Sequence, residues 1–220
     1  MREPGPGPEC NKGLGDISAS ISRARISPRR ERLRAAYHYE RLHHGRPRER
    51  WVLYTLRLSL GDGFQVKRVR YREDQAEHRP DLRIYKAGRW VADVEVSGSK
   101  LAIDRLAREG VWVLPSKLAY ARAHDPGRYL YIYVLEAHMR TLDAPVLWAT
   151  GRELLKVLEG KRAGELVGDV GHGLIERYHV FPLDVFHREW HKLVGYVLWL
   201  AGELNSPDPW DLANFMPLVR

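Results

Sequence analysis

Cysteine is nearly absent: Cys10 is the only one in 220 residues. That excludes an intramolecular disulfide and a thiolate zinc finger, and it fits a reducing cytoplasm. Long apolar runs are missing too. The longest, Val194 to Ala201, falls well short of the roughly 20 residues needed to cross a bilayer. The opening residues carry Arg2 and Glu3 without the apolar centre of a signal peptide. The sequence therefore predicts a cytoplasmic location and no membrane partner. A Walker GKS/GKT is absent, and Gly168, Gly171 and Gly173 (GDVGHG) lack the strand and helix of a phosphate loop, so they read as a flexible turn and nucleotide hydrolysis is disfavoured. No GxSxG elbow supports a serine hydrolase. His187 and His191 (HREWH), expected on the last helix, have zinc spacing but no third ligand and no HExxH order, so they read as exposed helix histidines. Asn and Gln are scarce while Arg, Tyr and Val abound, a balance compatible with a thermophile.

Positive charge is plentiful: 36 Lys and Arg stand against 28 Asp and Glu, a net charge of +8. Such an excess favours polyanionic partners through phosphate neutralisation and counterion release, and nucleic acid is the commonest of them. Ten arginines against three glutamates lie between Arg23 and Arg50. Arginine's rigid fork suits bidentate phosphate contacts.

Length and composition fit one core with decorated ends. Residues 1–27 form a Gly/Pro- and Ser-rich leader without periodicity, 28–205 a single α/β domain, and 206–220 a Pro- and Trp-containing tail. Ser27-Pro28 opens an expected helix that runs to His44 and ends at Gly45. Its Arg29, Arg30, Arg34 and Arg41 are the candidate phosphate contacts. His43-His44 beside Gly45 read as a helix end that favours cations, or as a phosphate contact. Trp51–Leu60 leans to strand, because Thr55, Arg57 and Ser59 alternate with apolar residues. Phe64–Arg72 alternates as a strand with Phe64 and Val66 inward. Further on, residues 98–114 hold a loop and a short helix, Pro115–His124 reads as a helix, and Tyr129–Leu135 as a buried strand. Gly151–Leu158 is expected to be helical, Ile175–Phe181 extended, and Val185–Leu204 a long amphipathic helix. The tyrosines 129, 131 and 133 alternate along their strand and read first as core, second as a stacking surface for bases.

The segment that carries chemistry is RPDLRIYKAGRWVADVEVSGSK. Asp81–Tyr85 and Trp90–Ser97 read as a hairpin across Lys-Ala-Gly-Arg. Side chains two apart share a strand face, so Asp93, Glu95 and Ser97 oppose Val94 and Val96, while Asp81 and Arg83 oppose Leu82 and Ile84. The pairing brings Asp81 near Glu95. Two converging carboxylates repel, and a hard cation between them is a natural compensation.

These residues resemble the PD-(D/E)XK nuclease superfamily, which includes restriction endonucleases and archaeal Holliday-junction resolvases. Pro80-Asp81 looks like the PD, and Glu95-Val96-Ser97 takes the place of (D/E)XK. The resemblance covers about half the chain. It implies a restriction-endonuclease-like α/β core: a central mixed β-sheet flanked by helices in the order αβββαβ, followed here by a C-terminal helical extension. It further implies Mg2+ or Mn2+ held by Asp81 and Glu95, with the Val96 carbonyl as a third ligand and a first-helix glutamate, Glu40 or in reserve Glu49, as another. Ser97 departs from the pattern, since serine cannot supply the lysine's cation. Lys117, on the expected helix, is the preferred substitute and Lys100 the alternative.

The expected function is a metal-dependent endonuclease acting on DNA, working as a homodimer so that two sites address two strands. The competing expectation is a nucleic-acid-binding protein that keeps the fold without cutting. A third is an accessory protein whose basic surface serves assembly.

Overall fold

The computed structural model describes residues 43, 45–69, 79–136, 139, 146–169 and 175–206. The leader, the Arg-rich segment with Arg29, Arg30, Arg34, Glu40 and Arg41, and most of the tail lie outside them.

The first described helix, α1 (Arg46–Leu60), covers the stretch expected as a strand. That expectation is corrected by packing. Val52, Leu53, Leu56 and Leu60 are buried at helical spacing, while Leu58 and Tyr54 are exposed, and these outward apolar side chains mimic strand alternation. Pro47 lies in the first turn, where a missing N–H costs nothing. Gly61, at φ 75°, stops the helix. Gly45, expected as a helix end, is itself helical (φ −62°, ψ −54°) and leads into α1; the helix expected over 28–44 lies, His43 apart, outside the described residues.

Strands β1 (Phe64–Arg68), β2 (Leu82–Lys86) and β3 (Arg89–Ser99) follow as an antiparallel meander. The β2–β3 turn is Ala87-Gly88, both at positive φ, which matches the right-handed twist of the paired strands. Strand β3 then pairs in parallel with β5 (Tyr129–Leu135). A parallel neighbour demands a long crossover, and the chain supplies α2 (Ile103–Glu109), the short β4 (Val111–Val113) and α3 (Pro115–Ala123). Strand β6 (Val146–Thr150) closes the sheet antiparallel to β5, giving the order β1-β2-β3-β5-β6. Helix α4 (Gly151–Glu159) starts at Thr150 with a full capping box to Glu153.

A second sheet, β4-β8-β7, joins β4 to β7 (Gly164–Asp169) and β8 (Ile175–Phe181). Gly168 is therefore a strand residue, where a flexible turn was expected. The chain then passes through a short 3-10 turn, Leu183–Val185, into α5 (Trp190–Leu200). The expected Val185–Leu204 helix is shorter because His187 pairs through its backbone with Trp148. His187 precedes the helix, so the two histidines do not share a helical face. Its ring stacks on Trp148 at 4.4 Å and its Nε2–H donates to Glu153 at 2.8 Å.

The protein is thus an α/β fold with a mixed central sheet flanked by helices. One core packs α1 and α5 against Leu82, Ile84, Val94, Val96, Leu130 and Ile132. The other packs α3, α4 and β4 against Tyr129, Tyr131, Tyr133 and Leu147. Asp93, Glu95 and Ser97 point to this second side. No helix among the described residues is long and apolar enough to cross a membrane.

Candidate active site

Asp81 stands immediately before β2, with its carbonyl accepting from Val69 N–H at 2.9 Å. Its carboxylate reaches across the hairpin, and Oδ2 accepts the Val96 N–H at 2.8 Å. Glu95 lies mid-β3 with 2% of its surface exposed. Alternation places it beneath α3, whose first turn carries Lys117. The Lys117 Nζ is 2.6 Å from Glu95 Oε1 and 5.6 Å from the Tyr131 ring centre. A cation in a helix's first turn opposes the helix dipole, so Lys117 depends on the acidic pair beneath it.

The electrostatics follow from this convergence. Burial, then the Glu95 charge, raises the Asp81 carboxyl well above its usual range; Lys117 pulls it back and Glu49 adds to the rise. Burial pulls the Lys117 ammonium down, but Glu95, Tyr131 and Asp81 outweigh it and hold the pKa above its ordinary value. Lys117 is therefore a fixed cation at neutral pH, not a base.

The helix carboxylate felt at Asp81 is that of Glu49, in the first turn of α1 and 3.6 Å from Arg68. Glu40, the first choice, lies outside the described residues. Ser97, where the motif has lysine, shares a hydrogen bond with Tyr131. The ammonium that reaches Glu95 belongs to Lys117; Lys100 is exposed one residue past β3 and does not take that place. The three tyrosines of β5 are buried on the same side as Glu95.

No family model matches the chain, and no curated protein sequence matches it. Among solved structures it is similar to D212, a nuclease from a fusselovirus, at a TM-score of 0.45 and 12% identity, covering 78% of this chain and 89% of that one.

Two features were missed by sequence reasoning. Asp93, buried, gathers Arg83 Nε (2.8 Å), Trp90 Nε1 (3.2 Å) and the Tyr120 hydroxyl (2.8 Å). Tyr120 lies three residues after Lys117 on the same helical face, so this bond pins α3 to β3; the shared face of Asp93 and Glu95 was the available signal. The Tyr129 hydroxyl is buried without a hydrogen-bond partner among the described residues. It feels the charges of Glu95 and Asp81, and burial raises its pKa well above normal.

The donor set suits a small hard cation. Among the described residues no three His, Cys, Asp or Glu side chains could hold a metal alone. Magnesium does not require three, because it keeps several waters and is commonly bound by one or two carboxylates plus substrate phosphate. Asp81 and Glu95 are the carboxylates that would hold it. An extended residue sends its N–H and C=O to the same side, so the Val96 carbonyl leaves the strand on the side where Asp81 takes its N–H. The orphaned Tyr129 hydroxyl would give a water carried by such a cation a partner.

Proposed function

We propose that the protein is a metal-dependent nuclease that hydrolyses phosphodiester bonds of DNA, with Mg2+ or Mn2+ held by Asp81, Glu95 and the Val96 carbonyl, and Glu49 reaching it through water. The observation that carries the reading is the convergence of Asp81, Glu95 and Lys117 from three separate elements. Bound there, the metal supplies Lewis acidity to the scissile phosphate and a water of lowered pKa. Lys117, held charged, orients that water and stabilises negative charge developing on phosphate oxygen. Lys117 thus supplies from α3 the cation that Ser97 lacks. Tyr129 accepts or donates one hydrogen bond to the same water.

The net charge supports nucleic acid as the partner, with the Arg-rich segment around Arg29, Arg30, Arg34 and Arg41 gripping phosphates. A homodimer and a cytoplasmic location complete the proposal. Incubation with plasmid, single-stranded and branched DNA under Mg2+ or Mn2+ tests it. Wild type cuts and Asp81→Asn or Glu95→Gln does not; equal cutting by either variant would falsify the site.

One observation favours a second reading. Lys117 occupies an oxygen of Glu95, which competes with metal, so a binder that does not cut is the alternative. It predicts salt-sensitive DNA binding with no cleavage under either metal.

A further inference from the structure

Beside the acidic pair lies a cavity of about 250 Å³ lined by Ser97, Ser99, Leu106, Trp112, Tyr133 and Tyr178, among others. We propose that this cavity receives one unpaired nucleobase, so that the substrate is single-stranded DNA or an unpaired segment of it.

Three observations support this occupant. The first is continuity with the acidic site. Ser97 is the next residue after Glu95 on the same face of β3, and the Lys117 charge is felt by both Tyr133 and Tyr178. A nucleotide whose base enters the cavity therefore keeps its phosphate beside the acidic pair. The second is the wall chemistry. Trp112, 37% exposed, and Tyr178 meet at 5.7 Å and 43°, in contact but not stacked, so neither ring covers the face of the other. Aromatic faces of this kind hold bases without regard to sequence. The third is the mixed lining. Tyr133 is hydrogen-bonded to Ser99 and Tyr178 to Glu176, so polar groups with fixed orientation flank an apolar floor of Leu106, as a base edge requires. A paired, stacked base cannot enter such a cavity without leaving its duplex.

The inference rests on the nuclease reading only for what happens after the base is seated, so binding is measured apart from cleavage. In EDTA, fluorescence anisotropy follows the full chain binding a short single-stranded DNA and a series in which each nucleotide in turn lacks its base. One position is expected to cost wild type about tenfold in affinity, within the range of one base on one aromatic. Trp112→Ala is expected to bind the intact strand about tenfold more weakly and to lose that positional penalty, while Trp112→Phe keeps both. Circular dichroism and urea unfolding check that the variants fold.

A flat series in wild type, or Trp112→Ala binding as wild type does, overturns the proposal. So does an equal loss on duplex and single strand in both Trp112 variants. Cleavage is then read in Mg2+. Cutting with a flat series removes the base pocket and leaves the nuclease; a positional penalty without cutting leaves the pocket and removes the nuclease.

Discussion

Replacing Lys117 by Met keeps most of the stem and removes the ammonium, leaving Glu95 and Asp81 facing each other without a cation. The Lys117 and Glu95 side chains are 13% and 3% exposed at a separation of 2.6 Å, so water screens them little. Two unit charges at that distance attract by about 6 kcal/mol at an effective dielectric near 20. Desolvation of both ions offsets much of this, and removing one partner of a buried pair costs about 3–5 kcal/mol. We expect the unfolding free energy of Lys117→Met in EDTA to fall by that amount. Lys117→Met/Glu95→Gln should recover most of it, because no glutamate charge is then stranded. Mg2+ should stabilise Lys117→Met more than wild type, since the metal replaces the missing charge; saturation at about 100 times the dissociation constant contributes about 2.7 kcal/mol. Urea unfolding followed by tryptophan fluorescence, with EDTA and with Mg2+, reads all three. If Lys117→Met lies within about 0.5 kcal/mol of wild type, or the double variant recovers nothing, the buried ion pair is not what holds this site.

Tyr120→Phe keeps the ring but leaves Asp93 short of one bond, which should cost about 1.5–3 kcal/mol and lower kcat more than it raises KM, because α3 carries Lys117; steady-state cleavage kinetics separate the two. In Gly98→Ala the new methyl would lie 2.2 Å from the Val134 carbonyl oxygen and 3.0 Å from Arg48 Cδ. With backbone on one side it cannot be absorbed, and a loss of about 1–3 kcal/mol or more is expected in urea unfolding. Burial raises the Glu153 carboxyl, but bonds from His187 and from the Thr150 N–H and hydroxyl outweigh it and hold the pKa below its ordinary 4.5. The unfolded state then binds the proton more readily, so this contribution is complete above the ordinary value and is lost as pH falls through the folded one. Glu153→Gln should flatten stability against pH in that acid window, as read by urea midpoints across a pH series.

Much of the site was legible because its logic is local. A period of two along Asp93, Glu95 and Ser97 assigns one face, and Ala87-Gly88 makes the turn; a register shift between Ile84 and Tyr85 then sets Leu82 opposite Val94 and brings Asp81 to the Val96 N–H. The stretches Tyr129–Leu135 and Ile175–Phe181 were equally readable, being bounded by turn residues and rich in β-formers. Lys117 could be preferred over Lys100 on rigidity alone.

What escaped the sequence depends on long-range packing. In Trp51–Leu60 the exposed Leu58 and Tyr54 blur a helical stripe, and only the contact of Val52 and Leu56 with the sheet decides the period. Strand β4 is too short to stand out and exists because β8 pairs with it. The start of the last helix looked earlier because the Trp148 bridge that stops His187 from joining it comes from a distant strand. The Asp93–Tyr120 bond and the orphaned Tyr129 hydroxyl are likewise products of three elements meeting.

The parallel pairing of β3 with β5 has a consequence for how the candidate site is assembled. Both acidic groups belong to the β2–β3 hairpin, whereas the ammonium lies on the crossover that the parallel β3–β5 pairing requires. The charge balance of the acidic couple is therefore tied to a long-range connection and not to the hairpin alone.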